Sequence, residues 1–385
     1  MDRHVYQTYV DILRRELISA MGCTEPIALA YCAAVAAKTL GALGGDADAL
    51  LEGIAHVDDA AKAALPDYLE KTPIDIKPLE SDNILDMIVT VHAGSSRARV
   101  RIANEHTNIV LIEKDGKVLE QKDPSAPTRV EDLPDYGLLT VQGIYDFATT
   151  CDLADVKDIL ERQIRQNTAI AEEGLRRDYG ANIGKVLLTT GDNTRTRAKA
   201  WAAAGSDARM NGSELPVVIC SGSGNQGLTT SLPVIIYARA LEVGEEKLYR
   251  ALLISNLITL HCKTGIGRLS AYCGAVSAGA GAGAGIAYLY GGDESDIAHT
   301  VINALAITSG IVCDGAKSSC AAKIATAVET GIFGYEMYRN GQQFFAGDGL
   351  VVKGVENSIA NFGRLGRVGM KQTDQEIIRM MTEQK

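Results

Sequence analysis

The stretch LSAYCGAVSAGAGAGAGIAYLY, residues 269–290, runs for 22 residues without a charged side chain. That length is enough to cross a bilayer, but the glycine and alanine content makes the stretch only weakly hydrophobic. Small residues at this density let helix backbones approach each other closely. The stretch therefore predicts a central helix that other helices surround, and a ligand at its N-terminal end would be held rigidly.

On either side of this stretch the chain is mostly helical. Apolar residues recur at helical spacing in residues 3–20, Pro26 suits the first turn of a second helix, and the pattern is helical again after Cys151. From Ile84 the pattern changes, because ILDMIVTVH and RARVRIA alternate between apolar and polar residues. The following NIVLIEKDGKVLEQ predicts a β-hairpin that turns at Asp115-Gly116.

These patterns predict an α+β fold class that is predominantly α-helical. One helical domain would comprise residues 1–74 and 146–385 and would contain the buried glycine- and alanine-rich helix. A small α+β domain would be inserted at residues 75–145. Because alanine-rich helices offer more apolar face than one chain can bury, we expect a homo-oligomer, specifically a dimer.

The composition narrows the classes of partner. The chain has 385 residues, a net charge of -10 and no basic cluster, so it lacks the positive surface that nucleic acid or an anionic membrane would need. Small molecules are the expected partners. Arg14, Arg15 and Glu16 lie where a secretory signal would be apolar, so we expect a cytoplasmic protein. In that reducing compartment the eight cysteines would remain free or bind metal.

Four of the cysteines lie at predicted helix starts, where backbone N–H groups lower the pKa of a thiol. They are Cys23, Cys273, Cys313 and Cys320. Soft thiolates at such positions suit an iron–sulfur cluster, but the spacing matches neither the ferredoxin pattern nor a paired CxxC zinc site. Four buried small residues in a helical core are the alternative. The other cysteines are expected to be buried structural thiols: Cys32, Cys151, Cys220 and Cys262.

Three polar segments interrupt the apolar pattern. SGSGNQG (221–227) resembles an anion-cradling loop before a helix, but it lacks the lysine of a P-loop, so a carboxylate is the expected guest. The other two are SDARMNG (206–212), with Asp207 and Arg209, and NEHTNIV (104–110), with His106, Thr107 and Asn108. Turns whose side chains satisfy their own hydrogen bonds are the alternative in each case.

Two lysines accompany the last cysteine cluster, IVCDGAKSSCAAK (311–323). Lys317 lies between Cys313 and Cys320, and Lys323 follows within one turn. A lysine near a buried positive centre can have a depressed pKa and act as a base. Solvated surface lysines are the alternative.

Seven motifs, in one order along nearly the whole chain, carry a family resemblance. They are GCTEPIALA, HTNIV, SDARMNG, SGSGNQG, GRLSAYCGA, CDGAKSSC and QTDQEII. With them the chain resembles the serine dehydratase-like alpha-subunit family of bacterial and archaeal L-cysteine desulfidases. The resemblance implies a lyase with an oxygen-sensitive 4Fe-4S cluster and no pyridoxal phosphate, which converts L-cysteine to pyruvate, ammonia and hydrogen sulfide. It also implies kinship with the iron–sulfur L-serine dehydratases, which eliminate water from serine.

The resemblance also implies roles for individual residues. The family's cluster cysteines fall on Cys23, Cys273 and Cys313, and Cys320 is either a fourth thiol that yields to substrate or a structural residue. Three thiolates would leave one iron open as a Lewis acid for the leaving sulfur or hydroxyl. We expect the base among Lys317, Lys323 and His106. The candidate substrate-binding residues are Thr24, Glu25, Asn108, Arg209, Ser221, Ser223, Asn225 and Gln226.

Two other functions stay open on the sequence alone. An iron–sulfur L-serine dehydratase would perform the same elimination with a hydroxyl as the leaving group. A binding module for amino acids would hold the ligand without turnover and without a cluster. Products and iron content discriminate among the three.

The chain departs from the family pattern at one place. The family carries a long glycine-rich stretch after the helix that begins at GCTEP, whereas here Leu40 runs straight into GALGG (41–45). Either this chain has lost a loop or its sequence lacks a piece there. Substrate contacts from that stretch are therefore not assigned.

Overall fold

The computed structural model describes residues 1–20, 24–41, 74–77, 79, 81, 83, 85–104, 108–124, 134–267 and 270–383, with the backbone alone for 24–27. The predominantly α-helical α+β class is confirmed. The chain forms two compact units, Met1–Gly22 with Leu133–Asp374, and Cys23–Asp132 with Gln375–Lys385. These units divide the chain at other residues than 74 and 145, and the predicted domain boundaries stay a prediction.

The larger unit is built from helices, which are labelled in chain order. Those that the structure describes are α1 (Arg3–Glu16), α3 (Val141–Thr150), α4 (Lys157–Arg176), α5 (Ile183–Thr189), α6 (Thr194–Met210), α7 (Gly224–Ala240), α8 (Glu245–Thr264), α9 (Gly274–Leu289), α10 (Glu294–Thr308), α11 (Cys320–Arg339) and α12 (Val355–Arg364). Short 3-10 turns cover Tyr136–Leu138 and Leu153–Asp155, and a π-helical turn covers Leu365–Gly369. Strands β1 (Ser19–Ala20) and β6 (Val217–Val218) form an antiparallel pair. Helix α13 (Lys371–Glu383) has residues in both units.

Local sequence explains where several of these helices begin. The Asp293 carboxylate accepts a hydrogen bond from the Asp296 N–H at 3.2 Å, and the Asp296 carboxylate accepts one from the Asp293 N–H at 3.0 Å. This reciprocal capping box starts α10. The Asn193 side chain caps α6 in the simpler way, by accepting from the Thr196 N–H at 2.9 Å.

Helix α9 forms the centre of the larger unit, as its sequence predicts. It is buried along nearly its whole length and packs against α7, α8, α10 and α11. A Cβ atom at Gly283 would lie 2.3 Å from the Gly331 carbonyl oxygen of α11, and one at Gly281 would lie 2.4 Å from the Ser255 carbonyl oxygen of α8. Backbones therefore touch on two opposite sides of α9, which glycine alone permits. Among the described residues, no helix has the length and apolarity needed to span a membrane.

Of the described chain, the smaller unit contains one complete helix, the residues of α13 from Gln375 onward, and one sheet. Strands β2 (Asp86–Ala93), β3 (Ser96–Ala103), β4 (Ile109–Lys114) and β5 (Lys117–Gln121) are antiparallel and pair in sequence order, and α2 (Thr24–Leu40) packs on them. The predicted hairpin is confirmed, because Asp115 and Gly116 connect β4 to β5 with φ angles of 51° and 82°. Cys32 of α2 is buried, and its thiol donates a hydrogen bond to the Val100 carbonyl at 3.3 Å.

Candidate functional site

The segment SGSGNQG forms a tight turn that leads into α7. Cys220 and Ser223 exchange two backbone hydrogen bonds of 3.1 Å, and Ser221 and Gly222 between them have φ angles of 51° and 75°. Helix α7 begins at Gly224, and the Ser223 side chain makes no capping hydrogen bond to it. The first-turn N–H groups have no partner within the helix, so this end of α7 suits an anion.

Arg209 brings a cation to the same end of α7. It lies in the last turn of α6 and is only 5% exposed. A Cβ atom at Gly224 would lie 2.3 Å from the Arg209 Nε and 2.7 Å from its Cζ, so the guanidinium rests directly on the first residue of α7. A buried guanidinium beside a helix N-terminus reinforces the preference for a carboxylate.

Gln226 connects α7 to α9. Its side-chain amide rests on Gly274, because a Cβ atom there would lie 2.5 Å from the Gln226 Cδ. Gln226 is 5% exposed, and the amide oxygens of Gln226 and Asn225 are buried with no hydrogen-bond partner among the described residues. Unpaired buried acceptors are costly, so they mark a place where a ligand can donate hydrogen bonds.

Cys273 and Cys313 lie beside each other at the start of α9. The Cys273 N–H donates to the Ile311 carbonyl at 3.1 Å, and the Cys313 N–H donates to the Ala271 carbonyl at 2.6 Å. These bonds surround an antiparallel bridge between Tyr272 and Val312. Two segments forty positions apart in sequence are thus clasped together, each with a thiol next to the bridge.

Burial keeps both thiols protonated in the protein alone. It raises the pKa of Cys273 to about 11, against the hydrogen bond from the Ala275 N–H, which lowers it. Burial also raises the pKa of Cys313, against the N–H of Gly315. A bound cation reverses this balance, since metal ligation favours the thiolate.

Cys320 is the first residue of α11 and closes the loop that follows Cys313. Its sulfur accepts a hydrogen bond from the Lys317 N–H at 3.5 Å and lies 3.5 Å from the Gly315 carbonyl oxygen. After burial, its proximity is a smaller cause that raises the pKa of Cys273 and of Cys313, so the three thiols share one electrostatic environment. The contacts of Cys320 are those of a loop-closing residue.

Three lysines differ in how well each suits the role of a base. Lys317 is exposed. Lys323 forms an ion pair with Asp314; burial lowers its pKa, but the hydrogen bond and charge of Asp314 outweigh burial and raise it, which favours the protonated ammonium. Lys263, at the end of α8, is 4% exposed; burial lowers its pKa to about 8, although Cys313 and Cys273 raise it.

Lys263 is a residue that sequence reasoning missed. Lys263 is the first Lys, Arg, Asp or Glu after Arg250, and the twelve residues between them are mostly apolar; that is the one signal that could have indicated it.

The residues present fit an iron–sulfur cluster by donor chemistry. Cys273 and Cys313 offer soft sulfur ligands with N–H groups directed at them, which is what cluster thiolates require. Within the described ranges, no three His, Cys, Asp or Glu side chains stand close enough to hold a single metal ion. Cys23 lies outside the described residues.

Comparison with known proteins shows to which family the chain belongs. Residues 102–379 match the sequence profile described as "Serine dehydratase alpha chain". The chain belongs to that family. A UPF0597 protein of Desulfitobacterium hafniense (strain Y51) is 52% identical, with 100% of this chain and 98% of the relative covered. UPF0597 proteins of Lachnoclostridium phytofermentans and Treponema denticola are 45% and 38% identical, covering 98% and 99% of this chain and 100% and 99% of their own lengths.

The comparison with the D. hafniense relative also includes positions that this chain lacks. It extends over 423 positions with the D. hafniense relative, whereas this chain has 385 residues. That relative therefore carries residues for which this member of the serine dehydratase alpha chain family has no counterpart.

The remaining predicted site residues of this serine dehydratase alpha chain homologue are not brought to the thiols by any described contact. Asn108 lies in the smaller unit, where its Nδ2 donates to the Ala103 carbonyl at 2.9 Å. Asp207 accepts from the Gly184 N–H at 2.9 Å and so fixes the start of α5. His106 and Thr107, and the side chains of Thr24 and Glu25, lie outside the described residues. Their predicted roles stay predictions.

Proposed function

We propose that this chain is a lyase that eliminates hydrogen sulfide from L-cysteine and leaves pyruvate and ammonia, with a 4Fe-4S cluster as cofactor. One observation carries the proposal: Gln226 of α7 rests on Gly274 of α9, directly beside Cys273. Groups suited to an amino acid and a pair of soft thiols therefore meet at one place. Membership in the serine dehydratase alpha chain family supports elimination from an amino acid as the class of reaction.

The substrate's two charged groups each have a partner in this arrangement. The carboxylate would accept from the first-turn N–H groups of α7 and from Arg209, which rests on Gly224. The ammonium would donate to the buried amide oxygens of Asn225 and Gln226. Because those oxygens have no partner among the described residues, the substrate would remove an existing energetic cost. Bound in this way, the β-carbon would point toward Cys273.

The cofactor would be held by Cys273 and Cys313 together with Cys23, as the family resemblance implies. When bound, the cluster supplies a Lewis-acidic iron that stabilises the leaving sulfur. The chain's own contribution is a water-poor setting, since Cys273 is 9% exposed, and backbone N–H groups that stabilise the thiolates.

The proton on the substrate's α-carbon would pass to the Nζ of Lys263. Burial lowers the pKa of Lys263 to about 8, so a fraction of this lysine is neutral near pH 7 and able to accept a proton. The electron pair of the broken C–H bond forms the Cα=Cβ double bond while the Cβ–S bond breaks and hydrosulfide leaves. The resulting enamine tautomerises, and water releases ammonia from it to give pyruvate.

L-Serine dehydration is the second candidate, and the name of the matched family favours it. The same carboxylate and ammonium contacts would hold serine, and water would leave in place of hydrosulfide. Soft sulfur binds iron better than a hydroxyl does, which is why we place cysteine first.

The test is anaerobic reconstitution of the full chain, followed by iron and sulfide analysis and assay of products from L-cysteine and L-serine. Iron binding with sulfide release supports the desulfidase, and iron binding with pyruvate from serine alone supports the dehydratase. A chain that binds no iron and forms neither product refutes both.

Matched variants locate the chemistry. Cys273→Ala should lose iron and activity, whereas Cys262→Ala, which also alters a buried cysteine, should retain both. Lys263→Met should keep iron and lose at least 100-fold in turnover, the usual scale for a general base, whereas exposed Lys317→Met should retain it. Loss of activity in Lys317→Met but not in Lys263→Met would reverse our choice of base.

A further inference from the structure

The smaller unit contains a groove whose lining includes none of the residues assigned to the elimination site. It lies between α2 and the strands β4 and β5 and has a volume of about 490 Å³, which is within the size range of small-molecule sites. Its lining residues are Tyr31, Val35, Lys38, Thr39, Ile109, Ile112, Leu119 and Glu120. Those from α2 recur at helical spacing and so form one face of the helix.

The groove exists because α2 does not cover the whole sheet. The helix packs mainly on β2 and β3 and makes fewer contacts with β4. Within the described chain, the far side of the sheet is therefore open, and Leu119 of β5 is 54% exposed. Val35 is buried at the inner wall and Ile112 is half-buried, so the interior of the groove is apolar.

Its charged residues are of both signs. Lys38 lies in the last turn of α2, and no ion-pair partner for it occurs among the residues that the structure describes. Glu120 of β5 lies 3.1 Å from Lys122, but both side chains are about half exposed, so this pair costs little to rearrange. The Thr39 hydroxyl donates to the Val35 carbonyl at 2.7 Å and keeps its acceptor lone pairs.

We propose that this groove binds a free α-amino acid with an apolar side chain. Lys38 would receive the carboxylate, Glu120 the ammonium, and the walls formed by Val35, Ile112 and Leu119 the side chain. A purely apolar ligand would leave both charges unused, and a simple anion would leave the apolar walls exposed to water. The inference does not rest on the proposed elimination reaction.

The test is isothermal titration of the full chain with L-leucine, which has no leaving group on its β-carbon and so undergoes no elimination. We expect saturable binding that weakens about tenfold or more in Lys38→Gln and in Leu119→Glu. Lys117→Gln is the matched control. Lys117 is an exposed lysine of β5, the strand that carries Leu119, and it does not line the groove, so this variant should bind leucine as the unmodified chain does.

Ligand analogues separate the two charges. Leucinamide lacks the carboxylate and should bind more weakly than leucine to the unmodified chain, but about equally in Lys38→Gln. The analogue 4-methylpentanoate lacks the ammonium. It should bind more weakly than leucine to the unmodified chain, but about equally in Glu120→Gln. Equal leucine binding by all variants would place the ligand elsewhere and overturn the proposal. The absence of binding at leucine concentrations up to about 10 mM, which would detect even a weak site, would also overturn it. If Leu119→Glu changes the oligomer mass and not leucine affinity, the groove is a protein interface and the proposal is likewise overturned.

Discussion

Replacement of Gly283 by alanine tests whether α9 is as closely packed as the structure indicates. The added Cβ would lie 2.3 Å from the carbonyl oxygen of Gly331, 2.7 Å from its carbonyl carbon and 2.9 Å from its Cα. Ordinary contacts begin near 3.4 Å, so the two helices must separate by roughly 1 Å. All three obstructing atoms are backbone, so no side chain can move aside to make room.

The expected change in the free energy of unfolding follows from two opposing terms. Overpacking of a close-packed interior costs about 1–3 kcal/mol, and a clash with backbone belongs at the upper end. Alanine is a better helix former than glycine by about 1 kcal/mol. The net loss is therefore about 2 kcal/mol, or about 4 °C in melting temperature for a unit of this size.

Thermal unfolding followed by circular dichroism at two scan rates measures the shift. Gly310→Ala is the control, because a Cβ at Gly310 would meet nothing within 4 Å. We expect the control to melt at or slightly above the temperature of the unmodified chain, since alanine also restricts the unfolded state. A Gly283→Ala chain that melts at the same temperature as the control would refute the close approach of α9 and α11.

Three further predictions concern the site and the pH dependence of stability. Gly274→Ala should displace the Gln226 amide and lower kcat/KM at least tenfold. Its loss of stability should be smaller than that of Gly283→Ala, because the obstructing atoms belong to a side chain. Unchanged kinetics would contradict a substrate role for Gln226. Cluster reconstitution at limiting iron should improve between pH 7 and 9, because burial raises the pKa of Cys273 to about 11 and the metal must displace that proton; a flat yield would contradict Cys273 as a ligand. Burial also raises the pKa of Asp207 to about 6, against about 4 in the unfolded chain. Between those pH values the folded chain therefore binds more protons than the unfolded chain. The contribution of Asp207 to the free energy of unfolding is complete below about pH 4 and is lost as the pH rises through about 6. The urea midpoint of the unmodified chain should fall between about pH 4 and 6, and that of Asp207→Asn should fall less. An equal fall in both chains would assign the pH dependence to another group.

Features with a local cause could be predicted from the sequence. The hairpin at Asp115-Gly116 follows from two residues that tolerate positive φ between alternating strands, and the start of α9 directly after Cys273 follows from the change to small apolar residues. The proximity of Cys273 and Cys313 was implied by family resemblance alone, because forty positions of sequence hold no information about a bridge between Tyr272 and Val312.

Features that depend on tertiary packing could not be predicted. Lys263 looks like any basic residue at a helix end, where it would complement the helix dipole; its burial beside the thiols depends on where α8 ends relative to α9. The strands on which α2 packs could not be predicted for the same reason, since an apolar helix face indicates burial and does not indicate which partner provides it.

The clasp between the Cys273 and Cys313 segments has a consequence for biogenesis. The chain between them runs out along α9 and returns along α10, and backbone hydrogen bonds to Ile311 and Ala271 close the circuit. In a nascent polypeptide these two sulfurs therefore come together only after both helices have packed. Delivery of the cluster that we propose would therefore follow folding, because the two thiols that would hold it are brought together only in the folded unit.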